Sequence, residues 1–172
     1  MTDTPSPGTP SPGTFDSALV RPARPEDAEE LLRLRAELHS GLATPEPWHA
    51  AFPAAMRERL GTDPGLHAFV SDTGEGRLAA CAIGLVYRAY EGPLYTGGLW
   101  GRVHSVITDP AHRRRGHAEA VTRALVTALQ GAGCASVELN ATDDGLPLYE
   151  KLGFTPAAHY LTLRRPLDGG AA

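Results

Sequence analysis

The stretch from Leu99 to Leu139 constrains this chain more than any other. It opens with an extended run, Leu99 to Thr108, which Asp109-Pro110 stops, because proline has no N–H to give to a strand ladder. The period then switches. Ala118, Val121, Leu125, Ala128 and Leu129 fall on one face of a helix that starts near Gly116 and ends by Gly131. Cys134 to Leu139 reads as another short strand. Strand, helix, strand in that order requires a right-handed crossover and a partly parallel sheet. An α/β fold follows.

The remaining segments supply further strands and helices. Ala18 to Arg21 is a short strand candidate. A helix entered at Pro25 carries Ala28, Leu31, Leu32, Leu34 and Leu38 at helical spacing and stops at Gly41. A second runs from Pro47 to Leu60, entered or interrupted at Pro53, with Trp48, Phe52 and Met56 on one face. His67 to Ser71 and Arg77 to Tyr87 form a hairpin around Asp72–Gly76, and Gly84 inside the second strand marks a bulge or a close backbone approach. Leu146 to Leu152 is a short helix closed by Gly153, and Ala158 to Arg165 a last strand. Residues 1–16, which repeat Thr-Pro-Ser-Pro-Gly-Thr, carry too little apolar surface to bury, and 167–172 read as a second loose end. One domain, 17–166, lies between them.

Composition narrows the function. A formal net charge of -4 argues against a nucleic-acid binder. No run approaches the roughly 20 apolar residues of a membrane span, and the first residues lack the basic start and apolar core of a secretory signal, so the expected setting is cytoplasmic. Two cysteines, Cys81 and Cys134, are too few for a disulfide scaffold or a cysteine metal cage, and no metal is expected. Both lie in strand runs and read as inert core.

The chemistry concentrates at Arg113, Arg114, Arg115 and Gly116, just before the long helix. An arginine run alone is most often a solvated loop. Here it precedes a helix N-terminus, whose unpaired N–H groups and partial positive charge favour phosphate. Gly116 lets a ligand approach the backbone, small Ala118 keeps the first turn open, and guanidinium groups add charge-assisted contacts. No Gly-Lys-Ser/Thr follows, so this is not a P-loop, and the glycine pair of a dinucleotide fingerprint is missing.

Residues 103–118, VHSVITDPAHRRRGHA, resemble the acyl-coenzyme A signature of the GNAT superfamily of N-acetyltransferases, with Arg113, Gly116 and Ala118 on its Arg/Gln-x-x-Gly-x-Gly/Ala positions. Residues 139–154, ending Tyr-Glu-Lys-Leu-Gly-Phe, resemble the family's closing motif. Two departures stand out: Ala118 replaces the second glycine, and His117 stands where an aliphatic residue is usual. The resemblance implies a mixed, mostly antiparallel sheet, splayed at the fourth strand, with helices on both faces. It implies acetyl-CoA as co-substrate and acetyl transfer to a primary amine of a small molecule or peptide, by direct attack in a ternary complex. An acyl-CoA-binding regulatory or sensor protein is the alternative. The resemblance also allows a homodimer.

By the same resemblance, Arg113, Arg114, Arg115, Gly116, His117 and Ala118 hold the pyrophosphate, and Val106, Ile107 and Thr108 pair with the pantetheine arm. An N–H at Val106 or Ile107 polarises the thioester carbonyl. Asn140 either bridges the cofactor arm or caps a turn. Tyr149 matches the tyrosine that protonates the departing thiolate, and a phenol pKa of about 10 suits a thiol of about 8.5. His104 is the first candidate base, expected on the same face as Val106 if alternation holds, with Glu91, Asp143 and Asp144 behind it. The acceptor side falls to Trp48, His49, Phe52, Tyr87, Tyr90, Glu91 and Tyr95, whose rings and carboxylate suit a cationic acceptor.

Overall fold

The computed structural model describes residues 19–38, 47–93 and 95–157. The tail at 1–16, the Gly41 stop, the strand at 158–165 and the domain limits lie outside them.

Five strands form one sheet in sequence order: β1 (Val20–Pro22), β2 (Leu66–Asp72), β3 (Leu78–Arg88), β4 (Leu99–Thr108) and β5 (Val137–Leu139). The first three pairings are antiparallel. The fourth, β4 with β5, is parallel, as the crossover requires. Helices α1 (Ala28–Glu37) and α2 (Trp48–Arg59) cover one face, and α3 (His117–Gly131) covers the other. A short α4 (Leu146–Lys151) follows β5.

Each face has its own core. On one side Leu31, Leu34, Met56 and Leu60 meet Leu66, Val70, Cys81, Ile83 and Ile107. On the other, Val121, Leu125 and Leu129 meet Ala80, Ala82 and Val103. Leu31, Leu34, Leu125 and Leu129 are wholly buried, each contributing about 1.5–3 kcal/mol of transfer free energy. Covered on both faces, β3 is buried without alternation from Leu78 to Gly84. Its small residues let the helices come close.

Gly84 fulfils both readings of its sequence position. A Cβ there would lie 3.1 Å from the Arg102 carbonyl oxygen and 3.2 Å from both Leu125 methyls. Beside it the register slips: Ile83 faces Ser105 and Gly84 faces Val103, so His104 has no opposite residue and forms a bulge in β4. The bulge reverses the inward face. Val103 packs under α3, whereas Ile107 packs under α1 and α2.

Some boundaries differ from the sequence reading. Pro25–Asp27 is a 3-10 turn leading into α1, because Asp27 accepts from Arg24 N at 2.7 Å and pairs with Arg21. Pro53 sits inside a continuous α2, buried. The last strand begins only at Val137; Cys134 lies in the turn before it, buried, with its N–H donating to the Leu129 carbonyl.

Gly84→Val should cost about 1–3 kcal/mol, since a backbone oxygen and a fully buried leucine leave it no room. Urea unfolding of the two proteins measures the difference; equal stability would contradict this packing.

Candidate active site

β4 and β5 stay together only from Gly101–Val103 against Val137–Leu139. Beyond that, β4 continues to Thr108 bonded to β3 on one side, with no strand on the other among the described residues. The Asp109 N–H donates to Ala79 on β3. Strand amides alternate in direction, so the N–H groups of Val106 and Thr108 face the open side, and that of Ile107 faces β3. An extended, amide-rich molecule finds a free hydrogen-bonding edge here.

The edge runs into a shaped loop. Arg114 and Gly116 both take left-handed backbone, at φ 61 and φ 88. For the arginine this conformation costs about 1–3 kcal/mol. The first bond of α3 runs from Ala120 N to Gly116 O, so the amides before it emerge at the helix end. Successive turns of opposite hand at a helix start form a concavity for anions. Arg113, Arg114 and Arg115 are exposed around it, and Arg113 Nε lies 3.4 Å from the Thr108 carbonyl. Only the backbone of His117 can serve such a site. Its ring is buried, with Nδ1 2.9 Å from Ser71 Oγ, and burial, then His112 and Arg115, lowers its pKa. That partner explains how a histidine occupies an aliphatic position.

Asp109 holds the loop in place. It accepts from Ala111 N at 2.9 Å and pairs with Arg33 of α1 at 2.6 Å. Arg33 also bonds Glu30 and the Leu78 carbonyl.

His104 and Val106 do not share a face. Val106 packs in the α3-side core, whereas His104 Nε2 lies 2.8 Å from Tyr87 Oη. The bulge at His104 is the cause. Burial, and then the charges of Arg102 and Arg35, lower its pKa. Tyr149 sits on α4, half-buried and edge-on to Phe154 at 5.9 Å. Its hydroxyl makes no hydrogen bond among the described residues, and burial raises its pKa. Lys151, half a turn further on, pairs with Glu119 in the first turn of α3 at 2.6 Å, which places α4 beside the start of α3. Asn140 is exposed immediately after β5, and Asp143 and Asp144 are exposed in the loop before α4.

The acceptor-side residues separate into two groups. Tyr87 stacks on Trp100 at 5.0 Å, and Tyr95 tilts against the same ring while bonding Glu138. Trp48 stacks with His49, and both Trp48 and Phe52 lie beneath the Arg35 guanidinium, at 5.8 and 5.0 Å. The aromatic faces expected to receive a cationic acceptor therefore already hold a cation. Tyr90 and Glu91 are exposed away from these groups, Tyr90 at 95%.

Residues 28–154 match the Acetyltransferase (GNAT) family. The chain belongs to that family. A glucosamine 6-phosphate N-acetyltransferase from rice is 39% identical over 106 residues, 60% of this chain and 62% of that protein. A crystal structure of an acetyltransferase from Trypanosoma brucei superposes with a TM-score of 0.66 at 27% identity, over 86% of this chain and 98% of that one. A predicted acetyltransferase with acetyl-CoA from Clostridium acetobutylicum superposes at 0.69 with 20% identity, over 84% and 94%, a likeness of fold. The chain spans less than two thirds of the length of the curated relatives it matches. Among the described residues no helix is long and apolar enough to cross a membrane.

Arg33, Arg35, Ser105 and Asp109 escaped the sequence reading. Arg35 carried a signal: it follows Ala28 by seven positions and Leu31 by four, on the buried stripe of an amphipathic helix.

The Asp109 carboxyl is held below its ordinary value, first by the Ala111 amide and then by Arg33. Its contribution to stability is complete above the unfolded value of about 3.9 and is lost as pH falls through the lower folded value. Asp109→Asn should therefore unfold more easily than wild type at pH 7, with the gap closing only below about pH 4. Urea melts across that range test it; a gap independent of pH would contradict it.

Proposed function

We propose that this chain transfers the acetyl group of acetyl-CoA to the primary amine of a small molecule, by direct attack. One observation carries the reading: the open edge of β4 leads straight into a loop with left-handed backbone at Arg114 and Gly116 and then the unspent amides at the start of α3. The residues present fit the arm of an acyl-CoA, an amide-bearing chain joined through a pyrophosphate to a nucleotide. Acetyl-CoA supplies an acetyl group on a thioester. Arg113, Arg114, Arg115 and the backbone of Gly116, His117 and Ala118 would hold the pyrophosphate, and the backbone of Val106 and Thr108, with Asn140 opposite, would line the arm, the Ile107 amide being turned to β3. The Val106 N–H would donate to the carbonyl oxygen as negative charge builds there.

His104 is suited to take the proton that the amine loses as the C–N bond forms. Its lowered pKa keeps the ring neutral at pH 7. With Nε2–H donating to Tyr87 Oη, the Nδ1 lone pair is left for that proton. Tyr149 is suited to protonate the sulfur as the C–S bond breaks, since its raised pKa keeps the phenol protonated. Proximity supplies the rest of the rate. The relatives' names make glucosamine 6-phosphate the first acceptor to try.

A thiol-release assay with acetyl-CoA against amino sugars, their phosphates, amino acids, polyamines and peptides tests the reading. Cofactor binding by calorimetry without turnover for any amine would favour a sensor instead. Tyr149→Phe should lower kcat about 10²-fold with cofactor affinity nearly unchanged. In wild type, kcat/KM should be level at neutral pH and fall on the acid side with an apparent pKa below 6.5. His104→Gln should lower the rate and abolish that acid limb; an unchanged profile would remove His104 as the base.

A further inference from the structure

The arginines of α1 and α2 are paired with carboxylates, with one exception. Arg33 bonds Glu30 and Asp109, Arg57 pairs with Glu29, and Arg59 pairs with Asp63. Arg35 forms no ion pair among the described residues. It gives one hydrogen bond, from Nη1 to Ser105 Oγ at 3.0 Å. The plane of the guanidinium carries five N–H groups, so most of its donors are unspent.

Its surroundings hold it in place. Trp48 and Phe52 lie beneath it, and Ser105 fixes one corner. Rings support a cation through their faces and leave its in-plane N–H groups unused. Ser105 is buried, directly follows the bulged His104 and directly precedes Val106, whose amide faces the open edge. An oriented, partly buried cation thus stands beside the proposed reaction centre, on the face where His104 lies. Withdrawing a guanidinium from water without a counter-ion is costly, and fixed forks of this kind suit planar or tetrahedral oxyanions.

We propose that Arg35 binds an anionic group, a phosphate or a carboxylate, on the amine that accepts the acetyl group, and so sets a preference for negatively charged acceptors. This rests on the acetyl-transfer reading above and adds the charge class of its acceptor. The residue acts in specificity: it orients the acceptor by its anion, while the amine meets His104 and the β4 edge.

Two matched pairs of acceptors separate phosphate from carboxylate: an amino-sugar phosphate with its unphosphorylated sugar, and an amino acid with its amide. The ratio of kcat/KM for the charged over the neutral member should exceed one for at least one pair in wild type. Arg35→Gln should lower that ratio 10- to 100-fold, chiefly through KM. Arg35→Lys should lie between, because it keeps the charge and loses the fork. Ser105→Ala, which removes the tie but leaves the guanidinium, should retain most of the ratio. Equal losses for charged and neutral acceptors would reduce Arg35 to a strut between α1 and β4 and overturn the inference, as would an unchanged ratio.

Binding provides a readout that does not need turnover. Tryptophan fluorescence, with Trp48 beside the guanidinium, should report the charged member of the preferred pair in wild type and a 10- to 100-fold weaker response in Arg35→Gln. If acetyl-CoA binds but no amine is acetylated, a wild-type response that Arg35→Gln weakens still supports the anion site. Absence of that response overturns it independently of the catalytic reading. Thermal melts of each variant establish that it is folded.

Discussion

The site depends on the parting of two strands. β4 and β5 share only the length from Gly101 to Val103, and beyond it β4 stays bonded to β3 while its other edge has no strand partner among the described residues. Exposed edges are ordinarily a liability, because their free N–H and C=O groups recruit other chains. Here the edge is short and ends in a loop of fixed shape. The bulge at His104 adjoins the parting and changes which residues look to which helix layer. One irregularity thus lets Val103 serve the α3 core and Ile107 the α1–α2 core, while His104 joins Tyr87.

The loop from Asp109 to Gly116 gets its shape from both helix layers. On one side the buried His117 ring is locked to Ser71 of β2. On the other, Asp109 is bonded to the loop's own Ala111 and to Arg33 of α1. Left-handed backbone at Arg114 would be unfavourable in an isolated peptide, and it persists because both flanks are fixed. This is electrostatic preorganisation in its plainest sense: dipoles are oriented by folding, before any ligand arrives.

Much of this was legible in the chain. The proline after Thr108, the arginine run, Gly116 and the apolar period of α3 specify strand, loop and helix by local chemistry alone, and the structure places them so. Gly84 announced a close approach, because only a missing side chain admits Leu125 and the Arg102 carbonyl together. Face assignments past the bulge were not legible. Alternation is a rule about regular strands, and one unpaired residue overturns it without altering composition. Nor was the charge at the acceptor side. Trp48 and Phe52 read as open aromatic faces until tertiary packing sets Arg35 over them from a different helix.

Helices α3 and α4 are unequally anchored. α3 presses so near the sheet that a methyl group on Gly101 would stand 3.0 Å from Leu129, and its apolar stripe is sealed from water. α4 buries no residue fully and reaches α3 through an exposed ion pair, Lys151 to Glu119, of a kind worth about 0–1 kcal/mol. One helix is therefore stiffly seated and the other compliant. Under the proposed reading, whatever adjustment a long guest demands falls on the side that carries Tyr149, while the start of α3 stays still.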